Sequence, residues 1–201
     1  MHMTVFDTPV VSHLMYAASW AFLRLTGWRT HNPPPDIPKY VIAGAPHTSN
    51  WDFVYAIAFA FVFKIKIYWM GKSSLFRFPF GPYFRWMGGI PIDRSKSHGV
   101  VAQTVENIRA AERLVLVVAP EGTRKSVPKW KTGFYHVARG ANVPIVLAFL
   151  DYKKRIGGFG PVVTPTGDIE ADMKEIRSFF ATVKGRHPSQ FNKEINPTNN
   201  N

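Results

Sequence analysis

Short apolar runs alternate with segments of helical periodicity along most of this chain, and that alternation restricts its fold more than any other feature. The runs follow a proline-rich bend at residues 31–38, and they predict strands at residues 40–45, 65–70, 89–92, 114–119 and 143–149, with 161–164 as an edge piece. Strands that alternate with helices are typical of α/β proteins. With 201 residues, of which 46% are hydrophobic, we expect one α/β domain with a mixed, mostly parallel sheet flanked by helices.

Three segments between or after these runs predict helices. Residues 98–112 place Val101, Val105 and Ile108 on one face, which is the spacing of an amphipathic helix. The last helical segment repeats this spacing with Ile169, Met173, Ile176, Phe180 and Val183. Residues 53–63 are apolar or aromatic throughout, and they predict a buried helix because so short a segment cannot span a bilayer.

The N-terminal segment, residues 9–25, is mostly apolar but is interrupted by polar residues at positions 12, 13, 19 and 24. Its apolar stretches are shorter than the roughly 20 residues that a membrane-spanning helix needs. Aromatic residues near its end are typical of a helix that lies in a membrane interface; they are Tyr16, Trp20, Phe22 and Trp28. A core helix fits the same pattern, so both interpretations stay open here.

The charge balance predicts an anionic partner. The chain has 25 Lys and Arg residues against 13 Asp and Glu residues, a formal net charge of +12. Such an excess attracts nucleic acid, phosphorylated substrates or an acidic lipid surface, and composition does not choose among them. The chain has no cysteine, which excludes disulfides, thiol nucleophiles and thiolate metal sites.

A histidine and an aspartate with four residues between them follow the first predicted strand, as His47 and Asp52. A neutral imidazole can accept a proton near neutral pH, and a nearby carboxylate can orient it. The same spacing occurs in His2/Asp7 and His31/Asp36, but the first pair is near the terminus and the second brackets three prolines. Functional groups gather beyond the carboxyl ends of strands in α/β sheets, which favours His47. A helix-capping turn in which the histidine is incidental fits equally well.

A second polar segment, residues 119–125, follows the predicted strand at 114–119. Gly122 allows a backbone to approach a ligand closely, and Thr123 can donate a hydroxyl hydrogen bond. The planar guanidinium of Arg124 suits two phosphate oxygens, and Glu121 would orient that arginine or bind an acceptor hydroxyl. An ordinary turn with a surface ion pair is the alternative.

Two further segments carry less chemistry by themselves. Gly88 and Gly89 lead through a short strand to Asp93 and Arg94, a pair that is often a solvated salt bridge. Residues 143–146, Val-Pro-Ile-Val, are apolar and suit a wall or a core.

In this order, the four segments resemble the four motifs of the glycerolipid and lysophospholipid acyltransferase family. Those motifs are a His-x4-Asp block, a Gly-x-x-(Phe/Pro)-Ile-(Asp/Glu)-Arg block, a Glu-Gly-Thr-Arg block and a Val-Pro-Ile block. The resemblance covers residues 47–146, about half of the chain, and among the three His-Asp pairs it selects His47/Asp52. It implies an acyltransferase domain at residues 31–191. The apolar pattern of the N-terminus adds an interfacial helix at residues 1–30, and the Asn/Pro composition predicts a disordered tail at 192–201.

The resemblance implies a role for each matching residue. His47 would be the general base and Asp52 its partner. The phosphate-bearing acceptor would be held by Arg94, Glu121, Gly122, Thr123 and Arg124. His47 would take the proton of an acceptor hydroxyl, and that oxygen would attack an acyl thioester of coenzyme A or of acyl carrier protein as co-substrate. No resident cofactor or metal is implied.

The expected partners are a lysophospholipid or glycerol-phosphate-type acceptor, an anionic membrane surface and, for one of the two donors, acyl carrier protein. The expected location is the cytoplasmic face of a membrane, as a peripheral or monotopic protein. Two alternatives remain at this point. One is a hydrolase that uses the same His/Asp pair on water. The other is a basic nucleic-acid-binding module, against which no recognised nucleic-acid motif is found, so we expect no nucleic-acid partner.

Overall fold

A seven-stranded sheet forms the centre of the protein. The computed structural model describes residues 3–92 and 97–192. The strands are β1 (Arg29–His31), β2 (Lys39–Gly44), β3 (Ile67–Lys72), β4 (Gly89–Ile92), β5 (Leu114–Val118), β6 (Ile145–Asp151) and β7 (Ile156–Val163). Their order across the sheet is β1-β7-β6-β2-β5-β3-β4. All neighbouring strands are parallel except β6 and β7, which form an antiparallel pair. The predicted mixed, mostly parallel sheet is therefore confirmed.

The described part of the chain has six α-helices, of which one precedes the first strand, four lie between strands and one follows the last strand. They are α1 (Val11–Leu25), α2 (Trp51–Val62), α3 (Gly81–Trp86), α4 (Ser97–Ala110), α5 (Gly133–Ala141) and α6 (Ile169–Ala181). The helices predicted at 53–63, 98–112 and from Ile169 onward are present. Each begins or ends within two residues of its prediction.

The helices cover both faces of the sheet, which is why the central strands are apolar on both faces. In β2, Val41 points into the cluster formed with α4, α5 and α6. Its neighbour Ile42 points into the cluster formed with α2. Successive residues of a strand point to opposite faces, so one continuous apolar run supplies both cores. The residues at its ends are thereby held between two packed layers.

The second half of the sheet differs from the sequence prediction. The edge piece predicted at 161–164 belongs to the longer strand β7, and the edge position is taken by β1, which was not predicted. β7 contains three glycines that weaken its strand pattern. At Gly158 a Cβ atom would lie 1.5 Å from the carbonyl oxygen of His31. The glycine is what allows β1 to pair with β7.

The N-terminal helix α1 packs on α2 and also exposes apolar side chains. Leu23 is buried against Tyr55 and Phe59, whereas Leu14 and Leu25 are 64% and 88% exposed. No helix within residues 3–92 and 97–192 has the length and hydropathy needed to span a membrane. Residues 193–201 lie outside the described residues, so the disordered tail stays a prediction.

Candidate functional site

Three loops of the candidate site leave the same edge of the sheet. β5 and β6 each run parallel to β2, so the carboxyl ends of these three central strands lie side by side. His47 follows β2, Glu121 follows β5, and Tyr152 comes directly after β6. The topology thus brings together side chains that are far apart in the sequence.

His47 and Asp52 are in contact. Nδ1 of His47 lies 3.2 Å from Oδ2 of Asp52, whose side chain is 6% exposed, while that of His47 is 28% exposed. Because an ionised carboxylate only accepts hydrogen bonds, Nδ1 carries the proton in this pair. Nε2 is then the ring nitrogen that can accept a proton from another molecule.

The Asp52 carboxylate also organises the loop around His47. Its Oδ2 accepts the main-chain N–H groups of Thr48 at 2.7 Å and Ser49 at 2.8 Å, and its Oδ1 accepts the hydroxyl of Tyr152 at 2.7 Å. Burial alone would raise the pKa of Asp52, but the hydrogen bonds from His47, Tyr152 and the two N–H groups outweigh it and hold the pKa below its usual range. Asp52 is therefore ionised at neutral pH.

The helix-capping alternative accounts for only part of this turn. Asn50, the residue before α2, makes no side-chain capping hydrogen bond. Ser49 Oγ accepts the N–H of Trp51 at 3.2 Å. Asp52, in the first turn of α2, binds both the turn and the imidazole, so the same carboxylate holds the loop and orients the histidine.

Glu121 lies behind His47 and contacts its main chain. Its two carboxylate oxygens are 3.0 and 3.1 Å from the main-chain nitrogen of His47, and the residue is 4% exposed. Burial raises the pKa of Glu121 to about 7, helped by the charge of Asp52 and opposed by the hydrogen bond from His47. Among the described residues, the Glu121 carboxylate thus contacts the His47 loop. The sequence had instead predicted a contact with Arg124 or with an acceptor.

The predicted acceptor residues that follow Glu121 in this loop are less buried than Glu121. Gly122 has a φ of +65°, a conformation that favours glycine, and a Cβ atom there would lie 3.0 Å from the side chain of Lys131. Thr123 and Arg124 are exposed, so both are accessible to a ligand. Arg94, the remaining predicted acceptor residue, lies outside the described residues together with Asp93.

A cavity of about 240 Å³ begins beside His47 and runs between α2 and the sheet. Phe53, Ala56 and Phe63 line it from the helix side, and Ile67 and Trp69 line it from the sheet. Among the described residues that line it, His47 and Asp52 alone have ionisable side chains. Such a cavity suits an aliphatic chain whose reactive end lies at the imidazole.

The segment that follows α6 links the His47 loop to the Glu121 loop by hydrogen bonds. The N–H of His187 donates to Thr48 Oγ1 at 3.2 Å. With its amide nitrogen facing them, Gln190 donates to the carbonyl oxygens of Arg124 at 2.7 Å and of Thr48 at 2.8 Å. Residues beyond all four sequence motifs therefore hold the motif loops in place.

Sequence reasoning missed three residues of this site. Tyr152 binds Asp52, Gln190 bridges the two loops, and the guanidinium of Arg186 lies 5.4 Å from the centre of the Trp51 ring and 6.0 Å from that of Tyr152. The position of Tyr152 just after a strand is a signal that could have found it. No sequence pattern marks the other two, because their roles depend on where α6 ends in space.

Within the described part of the chain, no group of three or more His, Asp and Glu side chains could hold a metal ion. His47 and Asp52 form a proton-accepting pair. The exposed Arg186 guanidinium lies over the rings of Trp51 and Tyr152, and the main chain of Arg124 is tied to that of Thr48 through Gln190. This arrangement suits a reaction that moves a proton and binds an anion.

Taken together, these features define an α/β protein with an oriented histidine at a strand end, an apolar cavity beside it and a basic loop around it. A family model described as Acyltransferase matches residues 29–148. That match includes more than half of the chain, and the protein belongs to this acyltransferase family.

Relatives with assigned names support the same family. The chain is 34% identical over 122 residues to the 1-acyl-sn-glycerol-3-phosphate acyltransferase of Escherichia coli (strain K12), a match that covers 56% of this chain and 48% of that protein. The enzyme of the same name from Haemophilus influenzae is 32% identical over 107 residues, covering 50% and 43%. The chain thus spans about half the length of the curated relatives it matches.

A solved structure matches the fold over a longer stretch. The crystal structure of the 1-acyl-sn-glycerophosphate (LPA) acyltransferase from Thermotoga maritima superposes with a TM-score of 0.57 at 16% identity, covering 85% of this chain and 77% of that one. At this identity the likeness concerns the fold alone, and it supports the α/β fold of this chain.

We predict that Glu121→Gln reduces the pH dependence of stability. The folded protein keeps the Glu121 proton up to a pKa of about 7, against an ordinary value of 4.5. Glu121 therefore adds about 3 kcal/mol to the free energy of unfolding below about pH 4.5, and this contribution is lost as the pH rises through about 7. Unfolding free energies at about pH 5 and pH 8 should differ less in Glu121→Gln than in the wild type. Glu112→Gln, at an exposed glutamate, is the control, and equal slopes for all three proteins would contradict the prediction.

We also predict that Tyr152→Phe raises the pKa of Asp52 relative to the wild type, because the variant removes one of the hydrogen bonds that stabilise its ionised form. The shift is measured by NMR titration of carbon-labelled aspartate carboxylates. Tyr55→Phe removes a hydroxyl from the neighbouring ring, whose centre is 5.8 Å from that of Tyr152, and should leave Asp52 unchanged. An Asp52 titration that is the same in all three proteins would refute the proposed contact.

Proposed function

We propose that the protein transfers an acyl group from an acyl thioester to the hydroxyl of a lysophospholipid or another glycerol-phosphate-type acceptor, with His47 as general base. The observation that carries the proposal is the His47–Asp52 contact of 3.2 Å beside an apolar cavity. Membership of the acyltransferase family supports the reaction class. The names of the relatives support the class of acceptor.

The reaction follows from the geometry of the pair. Asp52 keeps the Nδ1 proton in place, so Nε2 accepts the proton of the acceptor hydroxyl as that oxygen attacks the thioester carbonyl carbon. A carbon–oxygen bond forms and the carbon–sulfur bond breaks. The proton on Nε2 then passes to the departing thiolate, which returns His47 to its neutral form. No covalent enzyme intermediate is required.

The two substrates would approach His47 from different sides. The acyl chain of the donor would lie in the apolar cavity, which has Phe53 and Ala56 close to the Asp52 end of α2. The phosphate of the acceptor would be bound by Gly122, Thr123 and Arg124, and also by Arg94. Glu121 would act through the His47 main chain. Much of the rate acceleration would come from this alignment of the two reactants.

The donor in this proposal is acyl-CoA or acylated acyl carrier protein, and the partner surface is the cytoplasmic face of an anionic membrane. The net charge of +12 supports an anionic surface. The exposed Leu14 and Leu25 on the outer side of α1 support contact with lipid. Of the two interpretations of the N-terminal segment, we adopt the interfacial one because α1 covers the core with one side only.

We predict that His47→Ala lowers acceptor-dependent thiol release by a factor of about 10² to 10⁴, the usual contribution of a general base. The assay supplies acyl-CoA, or acyl carrier protein loaded with the same chain, with and without 1-acylglycerol 3-phosphate. Products are identified by mass. His136→Ala, which removes an exposed histidine on α5, should retain full activity.

The same assay separates transfer from hydrolysis. Thiol release at the same rate without an acceptor would replace the transferase proposal with a hydrolase. Full activity in a folded His47→Ala protein would show that another group accepts the proton.

We further predict that Ala56→Leu shifts the donor preference toward shorter acyl chains. Ala56 lines the cavity one helical turn beyond Asp52, so a larger side chain there shortens the space for the chain. Val54→Leu adds bulk on the same helix at a position that is 44% exposed and should not change the preference. The measurement is kcat/KM for a series of acyl-CoA chain lengths, and an unchanged preference in Ala56→Leu would place the chain elsewhere.

A further inference from the structure

The segment between β3 and β4 has one buried side and one exposed side. Phe76 and Phe84 pack on Trp69, with ring centres 5.8 and 6.1 Å from that of Trp69. The indole N–H of Trp86 donates to Thr8 Oγ1 at 3.0 Å. These contacts hold the segment on the α2 side of the sheet, because Trp69 also contacts Phe53 of α2.

Four large side chains of this segment point into solvent, and we call them the aromatic surface. Leu75 is 45% exposed, Phe78 is 93% exposed, Phe80 is 64% exposed and Tyr83 is 53% exposed. Single exposed apolar residues are common on protein surfaces, but several within nine residues are typical of an interaction site.

Along the sequence, the charged residues of the aromatic surface are basic, and Asp7 of the adjacent N-terminal segment is paired with Lys66. Lys72 precedes the aromatic surface, Arg77 lies within it, and both are exposed. The sequence has no Asp or Glu from residue 53 to residue 92. Aromatic rings surrounded by basic side chains match the interface of an anionic bilayer, in which rings lie at headgroup depth and basic groups meet phosphates. A protein partner with a purely apolar surface would provide no counter-charge for these two cations.

The aromatic surface is adjacent to the N-terminal segment and to the cavity. The N–H of Val5 donates to the carbonyl oxygen of Trp86 at 2.8 Å, which brings the N-terminal segment with the exposed Val10 alongside α3. Trp69 and Met70, on the strand that leads into the aromatic surface, line the apolar cavity beside His47. Contact with a bilayer here would bring the cavity close to lipid chains.

We infer that the aromatic surface inserts into the interface of an anionic phospholipid bilayer and forms a second membrane contact beside α1. The inference rests on the proposed function only for its choice of lipid as the partner. Binding to vesicles needs no turnover, so its failure is distinguishable from a failure of the acyl-transfer proposal.

The test measures co-sedimentation with vesicles of equal parts phosphatidylcholine and phosphatidylglycerol. The double variant Phe78→Ser/Phe80→Ser should bind at least about tenfold more weakly than the wild type, because two large apolar side chains no longer enter the interface. Val162→Ser is the control. Val162 is 45% exposed and lies on β7, in the half of the sheet opposite to β3 and β4. This variant should bind as the wild type does.

Further variants separate insertion of the aromatic surface from misfolding and from charge attraction alone. Circular dichroism and thermal unfolding check that the double variant is folded, and Leu75→Ser/Tyr83→Ser tests the same surface independently. Arg77→Gln should weaken binding to anionic vesicles and leave the weaker binding to pure phosphatidylcholine unchanged. His47→Ala should bind vesicles as the wild type does, whatever its activity.

Wild-type binding by both folded double variants would overturn the inference. It would also be overturned if sedimentation without lipid revealed a dimer that Phe78→Ser/Phe80→Ser dissociates while vesicle binding persists. In that case the aromatic surface would be an interface between two copies of this chain.

Discussion

The hydrogen-bonded carboxylate of Asp52 is the interaction on which the candidate site depends. It accepts two main-chain N–H groups of the His47 loop, the hydroxyl of Tyr152 and the Nδ1 proton of the imidazole. Because the carboxylate is nearly buried, loss of these donors would leave an uncompensated charge, and loss of the carboxylate would leave unsatisfied N–H groups at a cost of about 1–3 kcal/mol each. The loop geometry and the tautomer of the histidine therefore depend on one group.

A second carboxylate supports the same loop from behind, but its electrostatics are opposite. Asp52 receives enough hydrogen bonds to stay ionised, whereas burial raises the pKa of Glu121 to about 7. Below about pH 7, Glu121 is therefore mostly neutral. Asp52 is then the carboxylate whose negative charge acts on the imidazole. In the proposed reaction, that difference lets Asp52 stabilise the imidazolium while Glu121 positions the main chain.

The N-terminal helix and the segment between β3 and β4 give the molecule an apolar outer side near the cavity. Both cover the core with one side and expose large side chains with the other. In the proposed function, such a surface would let the acyl chain pass from lipid to the cavity without crossing water. The site and the surface would then serve one task, because burial of the chain provides part of the binding energy that aligns the reacting groups.

Local patterns were enough to predict the fold class, the positions of most strands and helices, and the chemical groups of the His47 loop and the Glu121 loop. These follow from local periodicity and from side-chain chemistry, which are readable without long-range contacts. Local patterns did not predict most of β7, because glycines weaken its strand pattern. They did not predict β1 either, because it lies next to the proline-rich bend. Tertiary packing was needed to bring Glu121 to His47, 74 positions away, and Tyr152 to Asp52, 100 positions away. The cavity and the Gln190 bridge arise in the same way. A hydrogen bond across such distances depends on how layers pack, and no local pattern encodes that packing.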